Sequence, residues 1–248
     1  MMNIHLKILF IEEMQLFFLR LNSLFTNFAM LFKESYLRQM SGTLWNRNYI
    51  KVMAANLMLY FSFYLLTPLL PIYLHETFNA PNDVVGLILS GYSITALIVR
   101  PFSGFMVDSF PRKKVLVGSF LLFSLCFGGY LTAGTLLLFG LIRTLHGGPF
   151  GAVTVANSTA AIDVLPPDRR NEGIGLYGLS NNVAMAVAPS VGIFLYHQSH
   201  QFHLLFWLAL LIAFVGLALD TRVKLPTKTL VRNNKKISLD RFFLVKAW

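Results

Sequence analysis

Residues 104–114 read Gly-Phe-Met-Val-Asp-Ser-Phe-Pro-Arg-Lys-Lys, and this stretch decides how the rest of the chain is interpreted. A long apolar segment ends here at one acid, Asp108, and three cations close the stretch. A helix needs about 20 apolar residues to cross a bilayer, and apolar segments of that order lie on both sides. The stretch therefore predicts a short polar loop between two membrane spans.

Composition indicates a membrane protein along most of the chain. Of its 248 residues, 55% are hydrophobic and 13% are charged, whereas about a quarter of the residues in soluble proteins are charged. We therefore expect an all-α polytopic protein with the lipid bilayer as its surroundings. The single cysteine, Cys126, excludes a disulfide framework or a thiolate metal cluster within one chain.

Six apolar segments predict six transmembrane helices, at residues 52–74, 84–107, 115–133, 135–164, 173–196 and 204–219. Pro68 and Pro71 lie near the far end of the first segment. Proline kinks a helix and frees backbone carbonyls, which membranes tolerate where neighbouring helices or a cavity satisfy them. We therefore expect a kink in the first span.

The loops between these segments differ sharply in charge. Lys and Arg are absent from residues 75–83, from the turn at Gly134 and from residues 197–203, but they are frequent at 112–114, at 169–170 and near both termini. Cation-rich loops stay on the cytoplasmic side, so we expect both termini in the cytoplasm and a bacterial inner (plasma) membrane location. The net charge of +10 is then topological, and we expect no nucleic-acid partner.

This layout divides the chain into three regions. Residues 1–39 contain charges that interrupt every apolar run, and two interpretations stay open for them: an amphipathic helix in the membrane interface, or an artefactual start upstream of Met40. Residues 40–220 are the six-span bundle. Residues 221–248 are a basic cytoplasmic tail or the start of a central loop.

A weak internal repeat is visible in the proline and glycine positions. The second segment carries Pro101-x-x-Gly104, and the fifth carries Pro189-x-x-Gly192. Three spans followed by three, with matched breaks on opposite-facing helices, are the pattern of a 3+3 inverted repeat. We expect Pro189 and Gly192 to form a hinge in the fifth span.

The opening stretch resembles a known signature. Gly104, Asp108, Arg112 and Lys113 have the spacing of the loop motif between the second and third spans of the major facilitator superfamily (MFS), and they lie at that loop. Other stretches resemble the family's fourth-span arginine element, the loop before its fifth span and its antiporter motif, at residues 143–148, 166–173 and 188–192. The chain therefore resembles the N-terminal six-helix half of an MFS transporter.

Two residues depart from the family pattern. Pro111 stands where the family has glycine, so the turn cannot take a positive φ at that position, although another turn type can close the loop. Ala188 replaces the glycine before Pro189, which makes the resemblance to antiporters less complete.

The resemblance implies twelve spans in two halves, with a small-molecule substrate bound between them. We therefore expect alternating-access transport, with proton-coupled efflux as the leading interpretation. This chain is then a truncated N-terminal half whose partner is a missing C-terminal six-helix half, and residues 238–246 look like the approach to a seventh span. The alternative is an intact six-span channel or membrane scaffold that is not a transporter.

An intramembrane enzyme is the least supported class. The sequence has no H-E-x-x-H or G-x-S-x-G motif and no cluster of acids with metal-ligand spacing. We therefore expect no catalytic residues, no cofactor and no metal.

For the signature stretch, the resemblance implies that Asp108 and Arg112 latch the cytoplasmic side against the second half. A carboxylate at a helix C-terminus needs a nearby donor, and Arg112 is the expected partner. Four further charged residues are expected in this cytoplasmic network: Asp163, Arg169, Arg170 and Glu172. The alternative is that the cations only bind anionic headgroups, which we favour for Lys113 and Lys114.

Arg143 is the strongest candidate inside the membrane, because a guanidinium at a helix centre costs at least about 2.5 kcal/mol without a cavity or a partner. The resemblance implies a role in proton coupling, by pairing with an acid or by biasing the protonation of a neighbour. His146, one turn later, is the candidate for that neighbour, and the alternative, which we favour, is a permanently neutral, hydrogen-bonded histidine. Arg100 either reaches the central cavity or snorkels to the interface.

Asn56, Tyr60 and Tyr64 are spaced four residues apart and form one stripe of the first span. The resemblance makes them candidate substrate contacts in the central cavity. Helix packing is an equal alternative for this stripe.

Overall fold

The structure is a computed structural model that describes residues 44–226 together with Ser23. Its helices are α1 (Arg47–Leu66), α2 (Leu70–Phe78), α3 (Asn82–Ser109), α4 (Arg112–Thr132), α5 (Leu136–Val164), α6 (Arg170–Ser199) and α7 (Phe202–Thr221). A 3₁₀ turn, Pro167–Arg169, leads into α6. Six of these helices, all but the short α2, are long and apolar enough to cross a membrane. The predicted all-α, six-span architecture is confirmed.

The first predicted span is broken into two helices. Pro68 lacks a backbone N–H, and α1 ends two residues before it, at Leu66. Between the helices, the Thr67 hydroxyl donates to the Phe63 carbonyl at 2.9 Å. Pro71 lies in the first turn of α2, where a missing N–H costs nothing. The kink expected from these prolines is therefore a complete break between helices.

Short polar residues fix several helix ends. The Asn46 side chain caps α1 by accepting from two backbone N–H groups at 3.0 and 2.8 Å, and the Thr135 hydroxyl caps α5 by accepting from a third at 3.2 Å. Asn79 and His200 have φ values of 50° and 52° and follow the ends of α2 and α6. Caps, and not the limits of the apolar runs, therefore decide where the spans begin and end.

The helix packing repeats between the first and last three spans. The helices α5, α6 and α7 begin 89, 88 and 90 residues after α1, α3 and α4, at positions 136, 170 and 202 against 47, 82 and 112. The α1–α6 contact corresponds to the α5–α3 contact, and α1–α7 corresponds to α5–α4. Because three crossings separate the two sets, the second set starts on the opposite side of the membrane. This is the 3+3 inverted arrangement that the sequence predicted.

Glycines permit the closest helix approaches. A Cβ at Gly147 of α5 would overlap the Tyr92 carbonyl of α3, and one at Gly151 would lie 2.7 Å from the Ala96 carbonyl oxygen. A Cβ at Gly192 of α6 would overlap the Leu65 carbonyl of α1, as one at Gly147 would overlap that of Tyr92. These contacts are the backbone packing that small residues allow in membranes.

The two Pro-x-x-Gly elements have different surroundings. A Cβ at Gly104 would meet no atom within 4 Å, whereas one at Gly192 would collide with α1. Pro101 and Pro189 both lie inside continuous helices. The matched breaks expected at these motifs are therefore absent from α3 and α6, although the repeat itself is present.

The end of the bundle that carries residues 112–114, 169–170 and Arg222 is called the basic end below. The helices α3 and α6 are the most exposed spans of the bundle. In each of them 22% of the most apolar stretch is buried, compared with 33% or more in each of the other four spans. The predictions for residues 1–39, Ser23 apart, and for 227–248 lie outside the described residues.

Candidate functional site

Arg112 joins three helices at the basic end. It is the first residue of α4, and its Nη1 pairs with Asp163 Oδ2 near the end of α5. Its Nη2 lies 3.8 Å from Asp108 Oδ1 in the last turn of α3. The side chains of Arg112 and Asp163 are 17% and 15% exposed, while that of Asp108 is 73% exposed. One guanidinium thus links a half-buried carboxylate within the bundle to an exposed one at its edge.

The loop that carries this arginine closes without a positive φ. Phe110 has φ −115° and Pro111 has φ −57°, and the only non-glycine residues with positive φ in the described chain are Asn79 and His200. The Lys114 N–H donates to the Pro111 carbonyl at 2.8 Å to begin α4. Proline therefore fits at the position where the resemblance led us to expect glycine.

Lys113 binds backbone carbonyls at the end of α7. Its Nζ lies 2.6, 2.9 and 2.6 Å from the carbonyl oxygens of Asp220, Thr221 and Val223. The last carbonyls of a helix have no intrahelical partner, and an ammonium carries three donors that can satisfy them. In this structure Lys113 therefore caps the end of α7, whereas Lys114 is exposed beside it.

The remaining charged residues of the predicted network form more local contacts. Arg169 pairs with Glu172 three residues later at 2.7 Å, and Arg170 is exposed at the start of α6. Of the four further residues predicted in this network, the structure thus places Asp163 in an ion pair with Arg112, which also lies near Asp108.

Arg143 is buried between α1, α3 and α4 without a carboxylate. Only 4% of the residue is exposed, and none of the ion pairs within residues 44–226 involves it. Its guanidinium carbon lies 4.2 Å from the Tyr92 ring centroid and 5.4 Å from that of Phe63. Its Nη1 donates to the Tyr130 hydroxyl at 3.3 Å. Within the described residues, cation–π contacts and one neutral acceptor therefore hold this guanidinium, and of the two arrangements that the resemblance implies only the neighbouring histidine is present beside it.

His146 is fully buried beside this arginine. Its Nδ1 lies 2.7 Å from the Tyr130 hydroxyl, and the rings of Phe123 and Phe127 lie 4.7 and 4.9 Å from its own. The backbone carbonyl of Phe123 interacts with the imidazole, but Nε2 has no hydrogen-bond partner among residues 44–226. Sequence reasoning missed Tyr130, and the one available signal was that it is the last large polar side chain before the Gly134 turn.

The stripe of the first span divides into two environments. Asn56 is fully buried, and its amide accepts from the Tyr177 hydroxyl at 2.8 Å and donates to Ser180 Oγ at 2.9 Å. Both partners lie on α6, so Asn56 joins two helices in this structure, which is the packing role given above as the alternative to a substrate contact. Tyr60 and Tyr64 are half-buried, with ring centroids 6.1 Å apart.

Arg100 lies exposed on α3 and interacts electrostatically with Tyr60 of α1. Pro189 and Gly192, expected to form a hinge, lie in an uninterrupted stretch of α6. Gly192 packs against the Leu65 carbonyl next to the break between α1 and α2.

Comparison with known proteins decides the family. The sequence model of the Major Facilitator Superfamily matches residues 52–248. The chain belongs to this family. This MFS chain is therefore a multi-pass membrane protein of a transporter family and not an enzyme.

Two curated relatives of this MFS chain are named as an antiporter and as a quinolone resistance protein. A Na(+), Li(+), K(+)/H(+) antiporter of Planococcus maritimus is 28% identical over 183 residues, which cover 71% of this chain and 42% of the antiporter. The quinolone resistance protein NorA of Staphylococcus aureus (strain MRSA252) is 25% identical over 137 residues, covering 55% of this chain and 35% of NorA. The chain spans less than half the length of these relatives.

Solved structures share the fold. A peptide transporter, POT, in complex with sulfate aligns with a TM-score of 0.64 and 20% identity, over 69% of this chain and 36% of that one. The human organic anion transporter TETRAN aligns with a TM-score of 0.61 and 21% identity, over 71% and 47% of the two chains. The six described spans of this MFS chain therefore have the architecture of a transporter half.

Proposed function

We propose that this chain is the N-terminal six-helix half of a transporter that exports a small organic solute by alternating access, in exchange for protons. The support from relatives is that one is a cation/proton antiporter and another a quinolone resistance protein. In this proposal the basic end faces the cytoplasm, both termini lie there, and the membrane is the bacterial plasma membrane.

The observation that carries the proposal is the arrangement around Arg112. The arginine is held inside the half bundle by Asp163, and the exposed Asp108 carboxylate extends from the same site to the bundle edge. An ion pair at the surface is weak and can be exchanged at low cost. We infer that Asp108 is the contact that a second half makes and releases when the cytoplasmic side closes and opens.

The exposed faces of α3 and α6 fit the same arrangement. Large apolar side chains cover them: Leu87, Ile94, Leu97, Ile98, Ile174, Leu179, Met185 and Ile193. In the proposed transporter these faces contact lipid and the second half. Tyr60, Tyr64 and Arg100 are the substrate-contact candidates, because each retains exposed surface.

A flux measurement on the complete transporter, meaning this half together with its second half, tests the proposal. Inverted proteoliposomes would receive an imposed pH gradient, acid inside, with norfloxacin as the probe and quenching of an acridine dye as the proton readout. We expect norfloxacin to accumulate while protons leave, and a protonophore to abolish both. Norfloxacin uptake that is equal with and without the gradient would refute proton coupling. Ion conduction by the six-span chain alone would favour a channel.

A further inference from the structure

The buried cluster around Arg143 contains a chain of hydrogen bonds that spans two helices. Arg143 and His146 lie one turn apart on α5, and the Tyr130 hydroxyl of α4 touches both of them. Tyr92 of α3 supplies a ring face to the guanidinium but no hydrogen bond, because its own hydroxyl has no partner within the described residues. The two tyrosines therefore hold the same cation in different ways.

The donor and acceptor roles in this chain follow from the arginine. A guanidinium can only donate, so the Tyr130 oxygen accepts from Nη1. The phenol has a single hydrogen, and among the residues that the structure describes its acceptor is His146 Nδ1 at 2.7 Å. Nδ1 must then be unprotonated, which places the imidazole proton on Nε2.

A proton on Nδ1 would disrupt the arrangement. Tyr130 would then accept from two cations, and its own hydrogen would have no acceptor in the described part of the cluster. The other polar groups around the ring do not supply an acceptor for that hydrogen: Tyr92 faces the ring from α3, and on α4 the Phe123 carbonyl interacts with the imidazole and Cys126 with Tyr130. The side chain that α1 contributes to the cluster, Phe63, is apolar. The geometry thus opposes a charged imidazole.

We propose that Tyr130 and His146 are positioning residues for Arg143 during transport, with Tyr130 fixing the guanidinium over the Tyr92 ring and a permanently neutral His146 fixing Tyr130. This inference rests on the proposed function, because it assigns how the coupling arginine is held. It also means that the proton exchanged for substrate does not reside on His146.

Two isosteric variants separate the positioning contact from ring packing. Tyr130→Phe removes the hydroxyl that joins Arg143 to His146, whereas Tyr92→Phe removes a hydroxyl without a partner and keeps the ring under the guanidinium. In the complete transporter we expect Tyr130→Phe to lower gradient-driven norfloxacin flux about tenfold or more, because hydrogen bonds to charged groups are the strong ones. Tyr92→Phe should remain within about twofold of wild type, since no hydrogen bond is lost.

A second pair tests the state of the histidine and stays informative if Tyr130→Phe does not fold. His146→Asn can present an amide oxygen near the Nδ1 position but cannot take up a proton, and His146→Leu removes the acceptor. We expect His146→Asn to retain proton-coupled flux and an unchanged pH profile, while His146→Leu loses the flux. Melting temperatures in detergent would verify that each variant is folded.

The outcomes distinguish the two proposals. Wild-type norfloxacin flux that is equal with and without the pH gradient refutes proton coupling itself. Gradient-driven wild-type flux with equal rates for Tyr130→Phe and Tyr92→Phe overturns the positioning role. Loss of coupling in a folded His146→Asn variant, with downhill flux retained, would show that the histidine carries the proton and would overturn its neutral assignment.

Discussion

Arg112 and Lys113 are adjacent cations whose different head groups suit different partners. The planar guanidinium of Arg112 reaches two carboxylates on different helices, which its fixed fork of donors favours. The compact ammonium of Lys113 converges on three carbonyls at the end of α7. Consecutive positions at the start of a helix point about 100° apart, so one turn serves both contacts.

We expect Lys113→Met to destabilise the end of α7. The substitution removes the ammonium donor from three carbonyls, of which that of Asp220 keeps the Val223 N–H. It also removes the nearby positive charge from the fully buried Asp220, whose carboxylate has no hydrogen-bond partner among residues 44–226. Leaving such groups unsatisfied costs about 1–3 kcal/mol. Thermal melting in detergent and hydrogen exchange at residues 219–223 would measure the effect.

Lys114→Met is the matched control, because this neighbouring lysine is exposed. It should leave the melting temperature and the exchange rates near their wild-type values. Equal melting temperatures for the two variants, with unchanged exchange at the end of α7, would contradict the capping role of Lys113.

At the scale of helices, the contact between α3 and α5 depends on the absence of a side chain. We expect Gly147→Ala to force these helices apart, since its Cβ would overlap the Tyr92 carbonyl. Overpacking of this kind costs about 1–3 kcal/mol. The Tyr92 ring would move with its backbone, so the stacking on Arg143 should weaken as well.

Gly148→Ala provides the comparison on the same turn. Its Cβ would meet only the Val99 and Thr95 methyl groups at 3.7 and 3.8 Å, which is ordinary contact. The melting temperature of this variant should therefore equal that of wild type to within about 1 °C or exceed it slightly, because alanine lowers the conformational entropy of the unfolded chain. A Gly147→Ala variant as stable as Gly148→Ala would mean that α3 and α5 are not packed this closely.

The helices could be predicted from the sequence better than their contacts. The lengths of the apolar segments predicted all six spans. The prolines predicted a kink in the first span, where the structure has a break after Leu66. The signature spacing located Asp108 and Arg112 on either side of one loop. The buried cluster was not predictable in full, because Tyr130 and His146 meet only when α4 packs against α5, and residues on separate helices have no common spacing in the sequence.

At the scale of the whole molecule, the six spans form two interlocked sets of three. The α1–α6 and α5–α3 contacts are related by the repeat, so each set closes on a helix of the other. Repeats of this kind allow one unit to move against another as a nearly rigid body. The Arg112 site lies at the basic end of this bundle, where Asp108 is its exposed carboxylate.

We propose that this half bundle controls a transport gate through Asp108. The direct measurement is gradient-driven norfloxacin flux by the complete transporter carrying Asp108→Asn, beside Asp83→Asn, the same substitution in the first turn of the same helix at the opposite end. We predict that Asp108→Asn abolishes flux while membrane insertion stays normal, and that Asp83→Asn transports like wild type. Normal flux in the Asp108→Asn variant would contradict the account.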